Sequence, residues 1–268
     1  MHVGSKGIVL VTGASSGIGA IYADRLAHRG HDLILVARNQ QRLDALAERL
    51  TSDTGKSVEA VVADLNNGKD LGRVEERLRT NPQIVMLVNN AGVAAVTPFL
   101  ETDVDEIEGM ISLNVRALTR LAFAAASRFA ARGGGTIVNI ASVLGVAPEL
   151  FNGVYGGTKA FVIALSLSLH KELADNNVRV QVVLPGATAT DLWEKAGKPV
   201  EQLPNEIVMR PDDMVDAALV GLDKGELITI PSLPDAGDWD SYEAARQKLI
   251  PNLSLKVPAA RYRARRAA

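Results

Sequence analysis

Seven short apolar runs, many of them rich in β-branched residues and separated by longer segments, constrain the fold of this 268-residue chain more than any other feature. They occupy residues 7–12, 32–37, 58–63, 84–89, 136–140, 178–184 and 227–230. Several runs are apolar throughout, as expected of strands that are covered on both faces. The segments between them are long enough for crossover helices and carry apolar residues at helical spacing. The pattern predicts an α/β fold with one doubly wound parallel sheet of about seven strands flanked by helices.

Two long segments, residues 104–132 and 151–176, are rich in alanine and leucine. Their wide apolar faces are consistent with contact to a second subunit or with burial in the core. We expect a single domain over residues 1–268, with a mobile substrate lid at about 186–210 and a divergent C-terminal extension at about 231–268.

The last 13 residues contain five basic residues and no acidic one, whereas the rest of the chain has 24 basic residues against 31 acidic ones. The body therefore carries a formal charge near −7, although the whole chain carries only −2. We interpret the basic tail as a solvated end or a subunit contact in preference to an anion site.

The composition excludes several classes of chemistry. The chain has no cysteine, which excludes disulfides, thiolate metal ligands and a cysteine nucleophile. A small net charge with interspersed acids and bases gives no field that would attract nucleic acid. No uncharged apolar run approaches the roughly 18 residues of a membrane span, and the first residues lack the features of a secretory signal. We expect a cytoplasmic protein with no metal, nucleic-acid or membrane partner.

The first predicted strand ends in a glycine-rich turn, Thr12-Gly13-Ala14-Ser15-Ser16-Gly17-Ile18-Gly19. Glycines at a strand-to-helix turn allow the backbone to approach a pyrophosphate, whose charge then binds the free N–H groups of the following helix. The spacing differs from Gly-x-Gly-x-x-Gly and from the P-loop, and tight turns need glycine for steric reasons alone. Its position after the first strand nevertheless favours a dinucleotide site in a Rossmann-like fold.

The tip of the second strand, Ala37-Arg38-Asn39, indicates which dinucleotide is preferred. An acidic residue here would bond the ribose 2′-hydroxyl, whereas the guanidinium of Arg38 donates several hydrogen bonds to a 2′-phosphate. The sequence therefore predicts NADP(H) over NAD(H), with a plain surface charge as the alternative interpretation of Arg38. Arg42 is interpreted as a solvated side chain that assists only secondarily.

Tyr155 and Lys159 lie one helical turn apart, so the phenol and the ammonium share one face of a helix. A nearby ammonium and an oxidised nicotinamide lower a phenol pKa from its usual value of about 10, which allows Tyr155 to act as a general acid and base. Ser142 follows the strand at 136–140 and places a hydroxyl where a substrate oxygen would lie. Taken singly, these residues also have ordinary explanations. Tyr155 could serve packing, Lys159 could be a solvated charge, and Ser142 could be a helix cap or turn residue.

Taken together, these motifs resemble the short-chain dehydrogenase/reductase family across about residues 7–190. The matching positions, in chain order, are Thr12-Gly13-x-x-x-Gly17-Ile18-Gly19, Asp64, Asn89-Asn90-Ala91-Gly92, Asn114, Ser142, Tyr155 with Lys159, and Pro185-Gly186 with Thr190. The resemblance implies a catalytic tetrad of Asn114, Ser142, Tyr155 and Lys159. A catalytic role for Asn114 needs a water between it and Lys159, and the alternative is a buried polar group bonded to backbone. The resemblance also implies a dimer or tetramer built through the two long helices.

The predicted cofactor site comprises Gly13, Ser15, Ser16, Gly17, Ile18, Gly19, Arg38, Asn39, Asp64, Leu65, Asn90, Ala91, Gly92, Tyr155, Lys159, Pro185, Gly186, Thr188 and Thr190. The resemblance implies that Asp64 contacts adenine, that residues 90–92 line the adenosine side and that residues 185–190 hold the nicotinamide carboxamide. Lys159 would also bond the nicotinamide ribose.

Gly156 and Gly157 depart from the family pattern, which more often has a bulkier residue between the tyrosine and the lysine. Each glycine costs a helix about 1 kcal/mol relative to alanine, so we expect close packing against a neighbouring backbone as compensation. Accordingly, Gly157→Ala is expected to lower activity or assembly through a clash.

Candidate substrate-pocket residues are mostly small or apolar: Val93 to Val96, Leu144, Val146, Phe151, Asn152, Ala187 and Trp193. They indicate a hydrophobic ketone, aldehyde or secondary alcohol. The sequence thus predicts an NADP(H)-dependent oxidoreductase that transfers a hydride between nicotinamide and a small-molecule carbonyl or alcohol. The alternative is a dinucleotide-sensing binding protein on the same fold, which would have no use for the acid–base pair of Tyr155 and Lys159.

Overall fold

The computed structural model describes residues 5–262, and the chain divides into two compact units, Met1–Ser232 and Leu233–Ala268. The first unit alternates strands and helices. In chain order they are β1 (Ile8–Thr12), α1 (Gly17–His28), β2 (Asp32–Ala37), α2 (Gln40–Thr54), β3 (Val58–Val62), α3 (Gly68–Thr80), β4 (Ile84–Asn89), α4 (Val104–Ile111), α5 (Leu118–Arg132), β5 (Gly135–Ile140), α6 (Gly153–Glu172), β6 (Val178–Val183), α7 (Leu192–Lys195), α8 (Pro211–Lys224) and β7 (Ile228–Thr229).

In the part of the chain that the structure describes, the seven strands form one parallel sheet in the order β3-β2-β1-β4-β5-β6-β7. The order reverses between β1 and β4, and a crevice is expected at the carboxyl ends of strands on either side of such a reversal. The predicted α/β, doubly wound architecture is therefore confirmed.

The sheet is buried on both faces, which explains why its strands are apolar throughout. Val9 and Val11 of β1 belong to a buried cluster that includes Leu26 of α1, whereas the intervening Leu10 packs in a second cluster with Phe129 of α5. Successive side chains of a strand point to opposite faces, so both sets must be apolar. Burial of each such side chain contributes roughly 1.5–3 kcal/mol to folding.

The long helical segment predicted at 104–132 is interrupted by one π-helical stretch, Ser112–Ala117, between α4 and α5. Such π-bulges alter the direction of side chains locally and are frequent at functional sites. Asn114 lies in this stretch and is 1% exposed. The second long segment forms α6, whose first backbone N–H groups, those of Val154 and Tyr155, donate to the side chain of Asn152.

The two adjacent glycines of α6, Gly156 and Gly157, differ in their surroundings. A Cβ at Gly156 would lie 2.7 Å from Cβ of Pro148 and 3.0 Å from the carbonyl oxygen of Leu144, so the helix packs closely on this loop. A Cβ at Gly157 would have nothing within 4 Å in the described part of the chain. The expected close packing is thus present at Gly156, and the expectation that Gly157 makes it within the chain is wrong.

The second unit contains α9 (Ala236–Leu249). Its N-cap residue is Asp235, whose side chain accepts from the N–H of Gly237. Trp239 and Tyr242 lie on one side of this helix, with ring centroids 5.0 Å apart. None of residues 233–262 is buried. Across the whole described range, no helix has both the length and the apolarity needed to span a membrane.

Candidate active site

The glycine turn after β1 packs so tightly that its first and third glycines cannot be replaced without movement. A Cβ at Gly13, whose φ is +66°, would lie 2.9 Å from Cα of Ala91, and a Cβ at Gly19 would collide with the carbonyl oxygen of Gly13. The backbone of the turn is therefore held directly against the loop that follows β4. The N–H groups of Gly13 and Ala14 donate to the carbonyl of Val36, so a ligand would bind the N–H groups further along, at the start of α1.

Thr12 and Asn90 hold the turn in place. The Thr12 hydroxyl oxygen accepts from the N–H groups of Asn90 and Ala91, both at 3.0 Å, and the hydroxyl donates to the Val88 carbonyl at 3.3 Å. The Asn90 side chain donates to the carbonyl of Thr12 at 2.9 Å. Asn90, predicted as a cofactor residue, thus uses its amide group to fix the glycine turn. Thr12 appeared in the family motif, but its positioning role was not foreseen.

Helix α1 offers an anion site directly behind the turn. Its N-cap residue, Ser16, makes no side-chain capping hydrogen bond, and its first turn contains no acidic residue. The first N–H groups of the helix and the Ser16 hydroxyl are therefore available to an anion, and the helix dipole adds to their attraction. The tight glycine turn and this helix end together fit the pyrophosphate of a dinucleotide.

The predicted catalytic pair, Tyr155 and Lys159, lies on α6 and is buried. Tyr155 is 9% exposed and Lys159 is 6% exposed, with the ammonium nitrogen 5.7 Å from the centroid of the phenol ring. Lys159 donates a hydrogen bond to the Ile140 carbonyl at the end of β5, at 2.9 Å. Burial lowers the pKa of Lys159 to about 8 and raises the pKa of Tyr155 to about 12. In the cofactor-free protein the pKa of Tyr155 is thus raised, and not lowered as expected from the sequence, because desolvation of the phenol is the largest effect. A hydrogen bond with the Ser142 side chain acts against the second shift.

Ser142 follows β5 with an extended backbone and begins a short 3₁₀ turn. Its hydroxyl oxygen accepts from the N–H of Leu144 at 3.1 Å and lies 3.5 Å from the Pro185 carbonyl oxygen. The hydroxyl is therefore fixed between the strand end and the loop after β6. It lies beside Tyr155, as the sequence predicts.

Asn114 is placed by its π-helical stretch beside the catalytic helix but does not line the cavity. Its side-chain oxygen accepts from the N–H of Val93 at 3.0 Å, and its amide donates to the carbonyl of Val93 at 2.9 Å and to the Thr158 hydroxyl at 3.1 Å. Asn114 therefore joins α6 to the loop that follows β4.

One cavity of about 820 Å³ unites the glycine turn with the catalytic pair. Of the predicted site residues, those that line it are Gly13, Ser16, Gly17, Ile18, Arg38, Asn90, Ala91, Gly92, Ser142, Tyr155, Lys159, Pro185, Gly186, Thr188 and Thr190. Those that do not line it are Ser15, Gly19, Asn39, Asp64, Leu65 and Asn114. The carboxyl ends of β1, β4, β5 and β6 thus bring together residues that are more than 150 positions apart in the chain.

The short chain dehydrogenase family model matches residues 7–201. The chain belongs to this family. The NADP-dependent 3-hydroxy acid dehydrogenase YdfG of Salmonella typhi is 35% identical over 224 residues, which cover 78% of this chain and 86% of YdfG. The family predicted from the motifs, and with it an oxidoreductase, is therefore shown.

Two solved structures resemble nearly the whole of this short-chain dehydrogenase. A short-chain dehydrogenase from Sphingobium yanoikuyae in complex with NADPH is 52% identical, covers 96% of this chain and 100% of its own, and has a TM-score of 0.94. The bulky-bulky ketone specific alcohol dehydrogenase from Comamonas testosteroni is 46% identical, covers 96% and 98%, and has a TM-score of 0.88. Both likenesses extend past the family model towards the C-terminus.

The adenosine end of this short-chain dehydrogenase contains Arg38, which is exposed and lines the cavity. Within residues 5–262 no carboxylate pairs with it, whereas Arg42 forms an ion pair with Asp191 at 3.1 Å. Asn39 caps α2 by accepting from the N–H of Arg42. Asp64 accepts from the N–H of Asn66 and donates its own N–H to Asp70, so its local role is in the turn after β3.

Residues 186–209 cover the part of the cavity that is expected to bind the substrate. An aromatic residue of this segment contacts one from the loop before α6. Trp193 and Phe151 meet edge to face, with centroids 6.0 Å apart, and the indole N–H donates to the Thr188 carbonyl at 2.9 Å. The two ends of this segment pair with each other, since the N–H of Met209 donates to Ala187 at 2.8 Å. Residues 187–209 thus form a closed loop over the cavity.

Several cavity residues were not predicted: Leu150, Leu192, Leu203, Ile207, Val208 and Met209. Their only sequence signal is apolar character within a Gly- and Pro-rich stretch, which does not distinguish a pocket wall from an exposed loop. Conversely, Val146 and Asn152 were predicted and do not line the cavity. Asn152 instead donates to the Thr97 carbonyl at 2.7 Å and caps α6.

Proposed function

We propose that this dehydrogenase is an NADP(H)-dependent enzyme that reduces bulky, largely apolar ketones and oxidises the corresponding secondary alcohols. The observation that carries the proposal is the shared cavity: Ser142, Tyr155 and Lys159 face the same space as the glycine turn. A proton donor, a cation and a dinucleotide cradle in one cavity are what hydride transfer to a carbonyl requires.

The preference for NADP(H) rests on Arg38. This guanidinium borders the cavity at the tip of β2 and has no carboxylate partner in the described part of the chain, so a 2′-phosphate would supply its counter-charge. The relatives support this assignment, because the Sphingobium structure contains NADPH and the Salmonella enzyme is NADP-dependent.

The mechanism begins with a protonated phenol. Because burial raises the pKa of Tyr155 to about 12, the side chain carries its proton at neutral pH and can donate it to the substrate oxygen. The Ser142 hydroxyl donates a second hydrogen bond to that oxygen and aligns it with the phenol. NADPH, when bound, supplies the hydride that the carbonyl carbon accepts.

Lys159 stabilises the phenolate that remains after the proton is donated. Its ammonium lies next to the phenol ring and is held by the Ile140 carbonyl, so the charge does not have to be brought from solvent. In the alcohol-oxidising direction, the same ammonium favours the phenolate that removes the proton. We further propose that Asn114 aligns α6 through Thr158, in addition to any water-mediated link to Lys159.

The substrate class follows from the cavity wall. Beyond the catalytic residues the wall is formed by small and aliphatic side chains, by the Phe151–Trp193 pair and by residues of the 187–209 loop. Apolar walls of this kind bind apolar substituents and exclude water from the reacting carbon. The similar Comamonas enzyme is specific for bulky-bulky ketones, which supports substituents on both sides of the carbonyl.

We propose in addition that the enzyme is a homo-oligomer in which the two long helices take part. Phe123 on α5 and Phe161 on α6 remain 69% and 38% exposed. Exposed aromatic residues on neighbouring helices are characteristic of subunit contacts.

The decisive experiment follows NADPH absorbance over a panel of diaryl, aryl-alkyl and small aliphatic ketones. Tyr155→Phe is expected to lower kcat by roughly 10²- to 10⁴-fold, because it removes the proton donor, while NADPH affinity stays close to wild type. Tyr242→Phe, at an exposed tyrosine of the second unit, is the matched control and should keep full turnover. If the wild type binds NADPH but turns over no ketone in the panel, the sensor alternative is favoured.

A further inference from the structure

A face of this protein outside the active site combines exposed apolar side chains with carboxylates. We call residues Phe99–Ile111 the acidic face. Leu100 is 94% exposed and Val104 is 66% exposed. The same segment carries five carboxylates, those of Glu101, Asp103, Asp105, Glu106 and Glu108. Among the described residues no lysine or arginine forms an ion pair with any of the five.

The second unit ends in a segment with the opposite charge. We call residues 253–262 the basic arm. It exposes Leu253, Leu255 and Val257 by 73%, 62% and 54%, and it carries Lys256 and Arg261. Within the described range, neither cation forms an ion pair with a carboxylate. The sequence continues beyond the arm with three more arginines and no acidic residue.

Elsewhere on this molecule, many charged side chains form ion pairs. Asp24, for example, binds both Arg25 and Arg49 at 2.9 Å, and Arg29 forms a two-pronged pair with Asp223. The acidic face and the basic arm share two features: exposed large aliphatic side chains and charges that form no ion pair in the described part of the chain. Their charges have opposite signs, so contact between them would satisfy both features at once.

We propose that the basic arm of one copy packs on the acidic face of a second copy. Pairing of two acidic faces would bring carboxylates together and is disfavoured, and the same holds for two basic arms. Arm-on-face pairing can be made reciprocally by two copies related by a twofold axis, since each copy supplies one arm and one face. The aliphatic side chains supply apolar contact area, and the charges fix the partner and the register.

Charge reversal tests the electrostatic part in the full-length protein. Asp105→Lys/Glu108→Lys on the face, or Lys256→Glu/Arg261→Glu on the arm, should each raise the concentration at which the assembly half-dissociates by roughly tenfold, measured by sedimentation equilibrium. Combining all four substitutions should restore association. Glu48→Lys/Asp175→Lys, at exposed acidic positions outside the face, is the matched control and should leave association unchanged. Failure of the four-substitution variant to recover would contradict the pairing.

Crosslinking tests whether the arm of one copy lies next to the face of another. Because the chain has no native cysteine, only the introduced thiols react. Leu100→Cys and Leu255→Cys proteins are prepared separately, mixed and treated with a short bismaleimide. A covalent dimer in the mixture, together with none in either protein alone, is the expected result. Self-crosslinking of Leu100→Cys alone, or no crosslink in the mixture, would overturn the proposal. So would a protein that carries both cysteines and crosslinks only within one chain. Both experiments are read without any enzyme assay, so their outcome is separate from the proposed catalysis.

Discussion

The glycine turn with its catalytic neighbours and the loop over the substrate cavity are built in opposite ways. Around the turn, backbone atoms touch and polar atoms are paired: Thr12 and Asn90 lock the loop after β4 to β1, and Gly19 has no room for a methyl group. Over the cavity, residues 187–209 form short helical turns joined at their ends, and side chains such as Trp193 and Met209 form the wall.

This difference separates two tasks of the enzyme. In the proposed function, the backbone sets the position of the dinucleotide and of the proton donor, so this region tolerates little change. The identity of the substrate is set by side-chain volume, so it can change while the chemistry remains. Substitutions in the first region should therefore affect cofactor binding or stability, whereas substitutions in the second should affect substrate KM.

The largest effect is expected from Gly19→Ala. The new methyl group collides with the carbonyl oxygen of Gly13, which is backbone and can move only if the whole turn moves. NADPH affinity, measured by fluorescence titration, should fall by roughly a hundredfold, equivalent to about 3 kcal/mol. Gly72→Ala in α3, where a Cβ has nothing within 4 Å, is the control and should bind NADPH normally. Normal binding by Gly19→Ala would show that the turn is not rigid.

The buried ammonium of Lys159, in the same region, makes the free energy of unfolding depend on pH. Its folded-state pKa of about 8 lies below its ordinary value of 10.5, so between these values the unfolded chain binds more protons than the folded one. The cost of burying the ammonium is fully present below pH 8 and is removed as the pH rises towards 10.5. Stability of the cofactor-free enzyme should rise over this window by about 3 kcal/mol relative to Lys159→Met, measured by urea unfolding. Parallel pH curves for the two proteins would contradict the burial argument.

The pair of glycines in α6 distinguishes packing from helix propensity. Gly156→Ala should destabilise the protein by about 2 kcal/mol, because the methyl group meets Pro148. Gly157→Ala should stabilise an isolated subunit by up to about 1 kcal/mol, because no neighbour opposes the better helix former. Thermal unfolding gives both values. Loss of assembly on Gly157→Ala would instead place a second subunit against this position.

The smallest effect on ligand binding is expected from Trp193→Ala in the loop over the cavity. Removal of the indole breaks its contact with Phe151 and enlarges the pocket, so KM for a bulky diaryl ketone should rise by roughly tenfold. NADPH affinity should not change, since the indole N–H bonds only to the loop carbonyl of Thr188. An equal loss of NADPH affinity would mean that the loop and the cofactor region are not independent.

Most of the architecture could be predicted from the sequence, and a catalytic set could be proposed, because their signals are local. Apolar runs indicate strands buried on both faces, a glycine turn requires its residues at fixed spacing, and Tyr155 and Lys159 lie one helical turn apart. The sequence yielded a wrong prediction, or none, for residues whose role depends on contact with a distant segment. Asn152 had apolar neighbours that suggested a pocket wall, but its position at the start of α6 made it a cap.

By itself, the amino-acid sequence determined the seven-stranded α/β fold and the family, and the roles assigned to the site residues stay predictions. Only the tertiary structure decided that Gly156 and not Gly157 is closely packed, that Asn90 and Thr12 lock the glycine turn, and that residues 203–209 reach the cavity wall. The reason is physical: hydrophobic periodicity and turn geometry act over a few residues. Close packing and hydrogen bonds at the carboxyl edge of the sheet join segments that the linear chain keeps far apart.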